Sequence, residues 1–554
     1  MPTVPGAWRK NGGRTLAIGL AAAALAAIVA VAEAPATKLL GGQHQLTSHS
    51  SGFGSFGGQL AYNSKKRQYL VVYTRTVGGG DTEIFGHRLD DEGEPIGGST
   101  QLSDTPGAGR NAREPVVAYS RKTNSYYVAF QAERLPSDDE LEVYGQRVGS
   151  DGGRAGSAIR LSQIGADGDP GRTLLAGPSI TYNDDEDQYL VVWSADDVAD
   201  DEFEIQAQRV GATGNAIGPE IPVSSTPGAN RDATDPDVAY NPRSKQFLVV
   251  WHDDGFGAPN ETDVFGQLLN AGGGQVGTND LRISQTGADG GNDELGRQPS
   301  VAANTHTGEY LVAFAASRVP SNELEIKIQR LTRGGAQTGA NDQQITQVGP
   351  AGDDDFNAGF PEVAFSEPAR QYMVAYAGED LGTDDEFEAF AQRISSKGEQ
   401  RGADDLRVSQ LAPDGNQAFG LGIGAFDQIG LVANGQLSEW IAGYWGDASG
   451  ADDTFNVFTR RIGLRGKCAG KRARVGGPGR DVIRLGKGRD VIAAKGGRDN
   501  VKGKGGRDRL CGGKGKDRLA GAKGKDRLIG GKGKDRCLGG KGRDRSKGCE
   551  SGEA

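Results

Sequence analysis

Gln188-Tyr189-Leu190-Val191-Val192-Trp193 returns as Gln68-Tyr69-Leu70-Val71-Val72-Tyr73 and as Gln246-Phe247-Leu248-Val249-Val250-Trp251. Looser copies are Tyr126-Tyr127-Val128-Ala129-Phe130, Glu309-Tyr310-Leu311-Val312-Ala313-Phe314, Gln371-Tyr372-Met373-Val374-Ala375-Tyr376 and Glu439-Trp440-Ile441-Ala442-Gly443-Tyr444. The anchoring aromatics Tyr69, Tyr127, Tyr189, Phe247, Tyr310, Tyr372 and Trp440 lie 58, 62, 58, 63, 62 and 68 residues apart. A fixed period of this size marks a repeat architecture. The run is apolar almost throughout, as expected of a strand covered on both faces.

Three further strand signals surround each copy. A short apolar run precedes it, as in Val238-Ala239-Tyr240-Asn241. An acidic loop leads to an alternating run such as Glu204-Ile205-Gln206-Ala207-Gln208-Arg209-Val210, and a Gly-rich turn to a fourth such as Leu281-Arg282-Ile283-Ser284. These runs are rich in Val, Ile, Tyr and Phe and bounded by Gly, Asn, Asp and Pro, which is strand chemistry. Four antiparallel strands repeated seven times predict a seven-bladed β-propeller over residues 37–463, with an open β-solenoid as the other arrangement. The seventh copy lacks a fourth strand. Gln43-His44-Gln45-Leu46-Thr47-Ser48 resembles the fourth-strand segment Gln101-Leu102-Ser103, so the N-terminal segment is expected to supply it and hide the edge.

The repeat resembles the Tyr-Leu-Val-Val-Trp β-propeller repeats of large exported bacterial proteins, over roughly residues 40–463. That resemblance implies architecture and leaves the activity open. Acidic loops recur between second and third strands, as in Asp138-Asp139-Glu140 and Asp196 to Glu202, and between blades, as in Gly165-Ala166-Asp167-Gly168-Asp169. Both classes belong to one face, which should carry negative potential. His44, His49, His87, His252 and His306 occupy different positions in different copies and give no zinc spacing. Neither a G-x-S-x-G elbow nor the Asp-box of sialidases is present. The repeated Arg147, Arg209, Arg330 and Arg393 read as structural. The chain is therefore expected not to be an enzyme, with a glycosidase-like propeller hydrolase as the alternative.

From Gly476 the chain runs in nines. Asp481, Asp490, Asp499, Asp508, Asp517, Asp526, Asp535 and Asp544 each follow a glycine by two residues, and Ile483, Ile492, Val501, Leu510, Leu519, Leu528, Cys537 and Ser546 follow each Asp by two. The pattern G-G-x-G-x-D-x-U-x is that of the hemolysin-type (RTX) calcium-binding nonapeptide. The resemblance implies a parallel β-roll over residues 476–549 with two nonapeptides per coil, hence about four coils. It also implies Ca²⁺ between turns, the eight Asp as ligands, and folding on calcium. The tail departs from the pattern in placing a cation before every Asp: Arg480, Arg489, Arg498, Arg507, Lys516, Lys525, Lys534 and Arg543. From Lys467 onward 27 Lys and Arg face 10 Asp and Glu, a balance of +17, which leaves −27 of the net −10 for residues 1–466. Such a tail is expected to weaken calcium binding, to attract anionic surface polymers, or to dock on the acidic face. Without interleaved aromatics, specific nucleic-acid recognition is not expected.

Arg9, Lys10 and Arg14 precede an apolar run from Leu16 to Ala32 and A-x-A sites at Ala30–Ala32 and Ala34–Ala36, the anatomy of a secretory signal peptide over residues 1–36. Export permits disulfides. Four cysteines allow three pairings; Cys468–Cys511 with Cys537–Cys549 is the preferred one. The sequence thus predicts an all-β, secreted or surface-attached protein without a membrane span after signal cleavage. Residues 464–475 are a linker and 550–554 a short tail. The functional expectation is a calcium-binding structural or adhesion protein, whose propeller is an interaction scaffold of unknown ligand. A polyanion binder whose repeats have lost calcium is the remaining reading.

Overall fold

The computed structural model describes residues 37–49, 54–103, 111–133, 141–164, 174–196, 202–225, 232–253, 262–285, 295–318, 321–349, 357–379, 387–411, 429–446 and 455–550. The expected signal peptide lies outside these residues. Among the described residues every regular element is a strand, and no helix is long and apolar enough to cross a membrane.

Six antiparallel sheets of four strands are complete in themselves, spanning residues 55–101, 112–160, 174–222, 233–282, 296–344 and 358–407. They are blades one to six. The seventh is built from Gly430–Ala433, Glu439–Gly446 and Asn456–Cys468, with Thr37–Gln45 as its fourth strand. Thr37 lies opposite Leu464 and Gln45 opposite Phe458 in antiparallel register. The closing strand starts six residues before the segment singled out from the sequence.

The aromatic–aliphatic run explains the ring. Along Gln188–Ala195, Tyr189, Val191 and Trp193 pack into the junction with blade two, while Leu190 and Val192 pack into the junction with blade four. Alternate residues thus serve opposite faces, and both faces are dry. The same division recurs at every junction, so seven separate apolar cores separate seven blades. Leu60 and Tyr69 of blade one meet Ile441 and Trp445 of blade seven, which closes the circle. Burial of each such side chain contributes about 1.5–3 kcal/mol.

A second repeated device pins each outer strand. A Ser or Thr just past the fourth strand accepts the backbone N–H of the third strand: Ser103 from Ile84, Ser162 from Val143, Ser224 from Ile205, Ser284 from Val264, Thr346 from Ile326 and Ser409 from Ala389, at 2.6–2.8 Å. Each hydroxyl then donates to a Glu or Asp of that third strand. In blade seven Thr47 accepts from Val457 at 2.9 Å and donates to Asn456. The N-terminal segment therefore brings its own clamp.

Residues 464–475, read as a linker, form a hairpin: the last third of Asn456–Cys468 pairs with Lys471–Val475. Val475 then pairs in parallel with Ala493, so ring and roll share one continuous sheet. The roll has two parallel faces. Ile483 faces Val501, then Leu519, then Cys537; Ile492 faces Leu510, then Leu528, then Ser546. Each step is two nonapeptides, which gives about four coils. The expected apolar positions from Ile483 to Cys537 fill the interior, and Ser546 ends it exposed. The disulfides are Cys468–Cys511 and Cys537–Cys549.

Blade seven caps the first coil. Leu437 enters the roll core, Ser438 donates through Oγ to Gly476 O at 2.9 Å, and Arg484 N donates to Gln436 Oε1. Arg474 reaches Glu439, Glu92 and Asp91. These contacts use turns at residues 90–94 and 434–438; the acidic loops on which the basic tail was expected as one option to dock lie outside the described residues. Burial opposes the charge of Arg474, but Glu439 and Asp91 hold its proton well above the ordinary range. Replacement of Arg474 by Met is expected to cost about 3 kcal/mol, the low end for a broken buried pair, because Arg67 and Arg461 still face Asp91 and Glu439. Urea unfolding of the variant measures it.

Candidate functional site

Two places in the molecule concentrate chemistry. The first is the interior edge of the roll. Glycines at fixed offsets let the chain turn, and the Asp that follows points inward under the next coil. The eight residues fall into two columns. Asp481 N donates to Asp499 Oδ1, Asp499 N to Asp517 Oδ1 and Asp517 N to Asp535 Oδ1; the second column runs Asp490, Asp508, Asp526, Asp544 in the same way, all at 2.8–3.0 Å. Asp499, Asp508, Asp517, Asp526 and Asp535 are at most 2% exposed.

The Oδ1 atoms of Asp499, Asp508, Asp517, Asp526, Asp535 and Asp544 are therefore satisfied, but from Asp490 through Asp544 every Oδ2 is buried with no partner. Unpaired carboxylate oxygens are costly. A Cβ placed on Gly503 would fall 2.5 Å from both Asp508 Oδ2 and Gly521 O; on Gly512 it would lie 2.3 Å from Asp517 Oδ2 and 2.6 Å from Gly530 O. A carboxylate and a carbonyl of the next coil converge on the same small space. That donor set suits a hard cation such as Ca²⁺. Among the described residues no three acidic, His or Cys side chains come together, so the remaining ligands would be backbone oxygens. Burial pushes Asp499 and Asp508 up to about 7 and Asp481 up to about 6. The residues before and after each Asp point outward. Arg518, Arg527, Arg536 and Arg545 are exposed, and Arg509 is in register with Arg527, and Arg527 with Arg545, on adjacent strands.

The second place is the ring axis, which the sequence reading did not single out. The innermost strand of blades two to six carries a proline at the same offset: Pro115, Pro178, Pro236, Pro299 and Pro361. Proline removes a ladder donor. There the register slips by a bulge, as between Thr234 and Asp237 or between Arg297 and Ser300. The residue before proline takes a positive φ at Glu114 (52°), Asp235 (50°), Gln298 (54°) and Phe360 (51°). Each bulge turns two residues to the axis. Before the prolines stand Glu114, Gly177, Asp235, Gln298 and Phe360; after them stand Val116, Ser179, Asp237, Ser300 and Glu362. Together they line a cavity of about 320 Å³.

The two tiers are wired differently. Gln131 Nε2 donates to Glu114 at 2.9 Å, and Gly177 leaves room for that carboxyl, since a Cβ there would lie 2.3 Å from its Oε2. His252 Nδ1 is 3.5 Å from Asp235, and Arg297 lies in the field of the same carboxylate. In the second tier Asp237 accepts from Ser179 Oγ and Val301 N, both at 2.7 Å, and Ser300 donates to Glu362 at 3.3 Å. Burial pushes Glu114 up to about 7, with Arg113 opposing and Asp235 adding. Burial and then Asp237 push Glu362 well above the carboxylate range.

The RTX calcium-binding nonapeptide repeat (4 copies) matches residues 475–510 and 512–545. The C-terminal region therefore carries RTX repeats on a propeller. No curated protein matches the chain. Among solved structures, the GH93 α-L-arabinofuranosidase of Fusarium graminearum is similar at 12% identity and a TM-score of 0.42, covering 65% of this chain and 98% of that one. An α-L-arabinanase of Penicillium chrysogenum gives 10% identity, 0.40, and 77% and 98%. A puromycin hydrolase mutant gives 11%, 0.41, and 74% and 53%. These are enzymes, and the expectation that the chain is not one is corrected accordingly: the fold supplies no ground for that exclusion. At this identity the likeness is one of fold, and it assigns neither reaction nor substrate.

Proposed function

We propose that this chain is an exported, calcium-dependent adhesion protein. Its roll binds Ca²⁺ through Asp481, Asp490, Asp499, Asp508, Asp517, Asp526, Asp535 and Asp544, and holds anionic surface polymers through its outer cations. One observation carries the reading: the roll segregates its charges, with carboxylates inside and Lys and Arg outside. Among the described residues no Lys or Arg from Arg480 onward forms an ion pair. The interior asks for cations and the exterior for anions. Filling the interior with calcium neutralises the Asp columns beneath the outer cations and strengthens their field. The propeller presents this roll and protects its first coil.

Equilibrium binding of the whole protein to an acidic polysaccharide such as alginate tests the outer half. Affinity should fall steeply and linearly in the logarithm of salt concentration, as counterion release requires for several simultaneous contacts. Replacement of Arg509, Arg527 and Arg545 by Gln should lower the affinity about tenfold or more with the roll still folded. Calcium titration by calorimetry tests the inner half. No heat and no proton release up to millimolar Ca²⁺ would leave only the polyanion-binding reading.

A further inference from the structure

We propose that the axial cavity of the propeller is a binding site for an uncharged saccharide, with Asp235 and Asp237 accepting hydrogen bonds from its hydroxyls and Glu114 and Glu362 donating to them. This goes beyond the function proposed for the roll and rests on different residues.

The contents of the cavity exclude the other ligand classes in turn. The carboxylates of Asp235 and Asp237 repel an anion. A metal ion finds no three acidic, His or Cys side chains together among the described residues. An organic cation would approach the first tier beside Arg113 and Arg297, which already face Glu114 and Asp235. What remains is a molecule whose polar groups both donate and accept. Hydroxyls do this, and each tier pairs an Asp with a Glu whose proton affinity burial raises, to about 7 at Glu114 and well above the carboxylate range at Glu362. Apolar side chains stand among these groups: Phe360, Val116, Val238 and Leu431 line the cavity. A sugar ring has a C–H face for such a wall and a rim of hydroxyls for the tiers. At about 320 Å³ the space is at the small end of ligand sites, which suits one or two rings. The ring of blades makes this arrangement possible because each inner strand adds one pair of side chains, and the pairs differ from copy to copy.

Calorimetric titration of the full chain with methyl glycosides of common pentoses and hexoses tests the proposal. At least one glycoside should bind with 1:1 stoichiometry and a Kd of about millimolar or tighter. Binding should weaken about tenfold as pH rises past 7, because Glu114 loses the proton it donates; Arg113 and Asp235 are the charged groups that act on it. Phe360→Ala should weaken binding about tenfold, and Val116→Phe, which fills the space without removing a polar group, should abolish it. Circular dichroism confirms that both variants fold, and the titration of the unaltered chain stands without them. The proposal is overturned if no glycoside binds, if binding survives Val116→Phe, or if 1,4-diaminobutane binds more tightly than every glycoside.

Discussion

Stripped of calcium at pH 8, the roll unfolds while the propeller stays folded, and trypsin cleaves within residues 476–549 about a hundredfold faster than it does with calcium present. The expectation follows from the unpartnered Asp Oδ2 atoms. Seven of them are buried without a hydrogen bond, stacked one coil above another. The core that must hold them is thin: two short columns of Ile, Val and Leu, closed at one end by Leu437 and at the other by a disulfide. The pH dependence of the calcium-free state has a definite sign. Burial raises the folded-state pKa of Asp499 and Asp508 to about 7, above the unfolded value of 3.8. Between these limits the folded roll holds more protons than the unfolded chain. Its stability without calcium is therefore greatest at low pH and falls as pH rises to about 7, by roughly 1 kcal/mol per pH unit for each such group. With calcium the sign reverses, since the ion displaces those protons and binds better at pH 8 than at pH 5. Equal trypsin resistance with and without chelator at pH 8 would refute the calcium-folded roll.

Removal of residues 37–49 should abolish cooperative unfolding of the propeller. The segment supplies the outer strand of blade seven, buries Leu40, and brings Thr47 to clamp Val457 and Asn456. Without it Asn456–Cys468 becomes an open edge and the ring loses its closure. The loss of a whole strand exceeds about 5 kcal/mol, the lower bound of an ordinary domain's stability. Thr47→Val, which removes only the clamp, should cost about 1–2 kcal/mol. A synthetic peptide of residues 37–49 should restore the transition in trans. A truncated chain that melts at the temperature of the intact one would show that the strand does not close the ring.

The sequence discloses what repeats and conceals what does not. Tyr189 to Trp193 is legible because both its faces are buried in every blade, so each copy keeps the same chemistry. The nonapeptide is legible because a single backbone turn recurs with its Asp. The N-terminal closing strand can be read because Leu46-Thr47 mirrors Leu102-Ser103, although its start at Thr37 has no signal among Gly41 and Gly42. The axial site is hidden for the opposite reason. At one structural position the copies place Glu114, Gly177, Asp235, Gln298 and Phe360, so a search for self-similarity discards it. Only the prolines beside them recur, and they mark the bulges without naming the residues the bulges turn inward.

The strand Asn456–Cys468 sets an order of events during synthesis. Its first residues complete blade seven and receive Thr37–Gln45; its last residues begin the hairpin on which the roll is built. A chain emerging from its N-terminus must therefore keep its opening strand waiting for more than four hundred residues of growth. The wait ends only when this one strand arrives, and the same arrival provides the platform for the first coil. Completion of the circle and the start of the tail are thus a single late step, after which each further coil is laid down on the one before it.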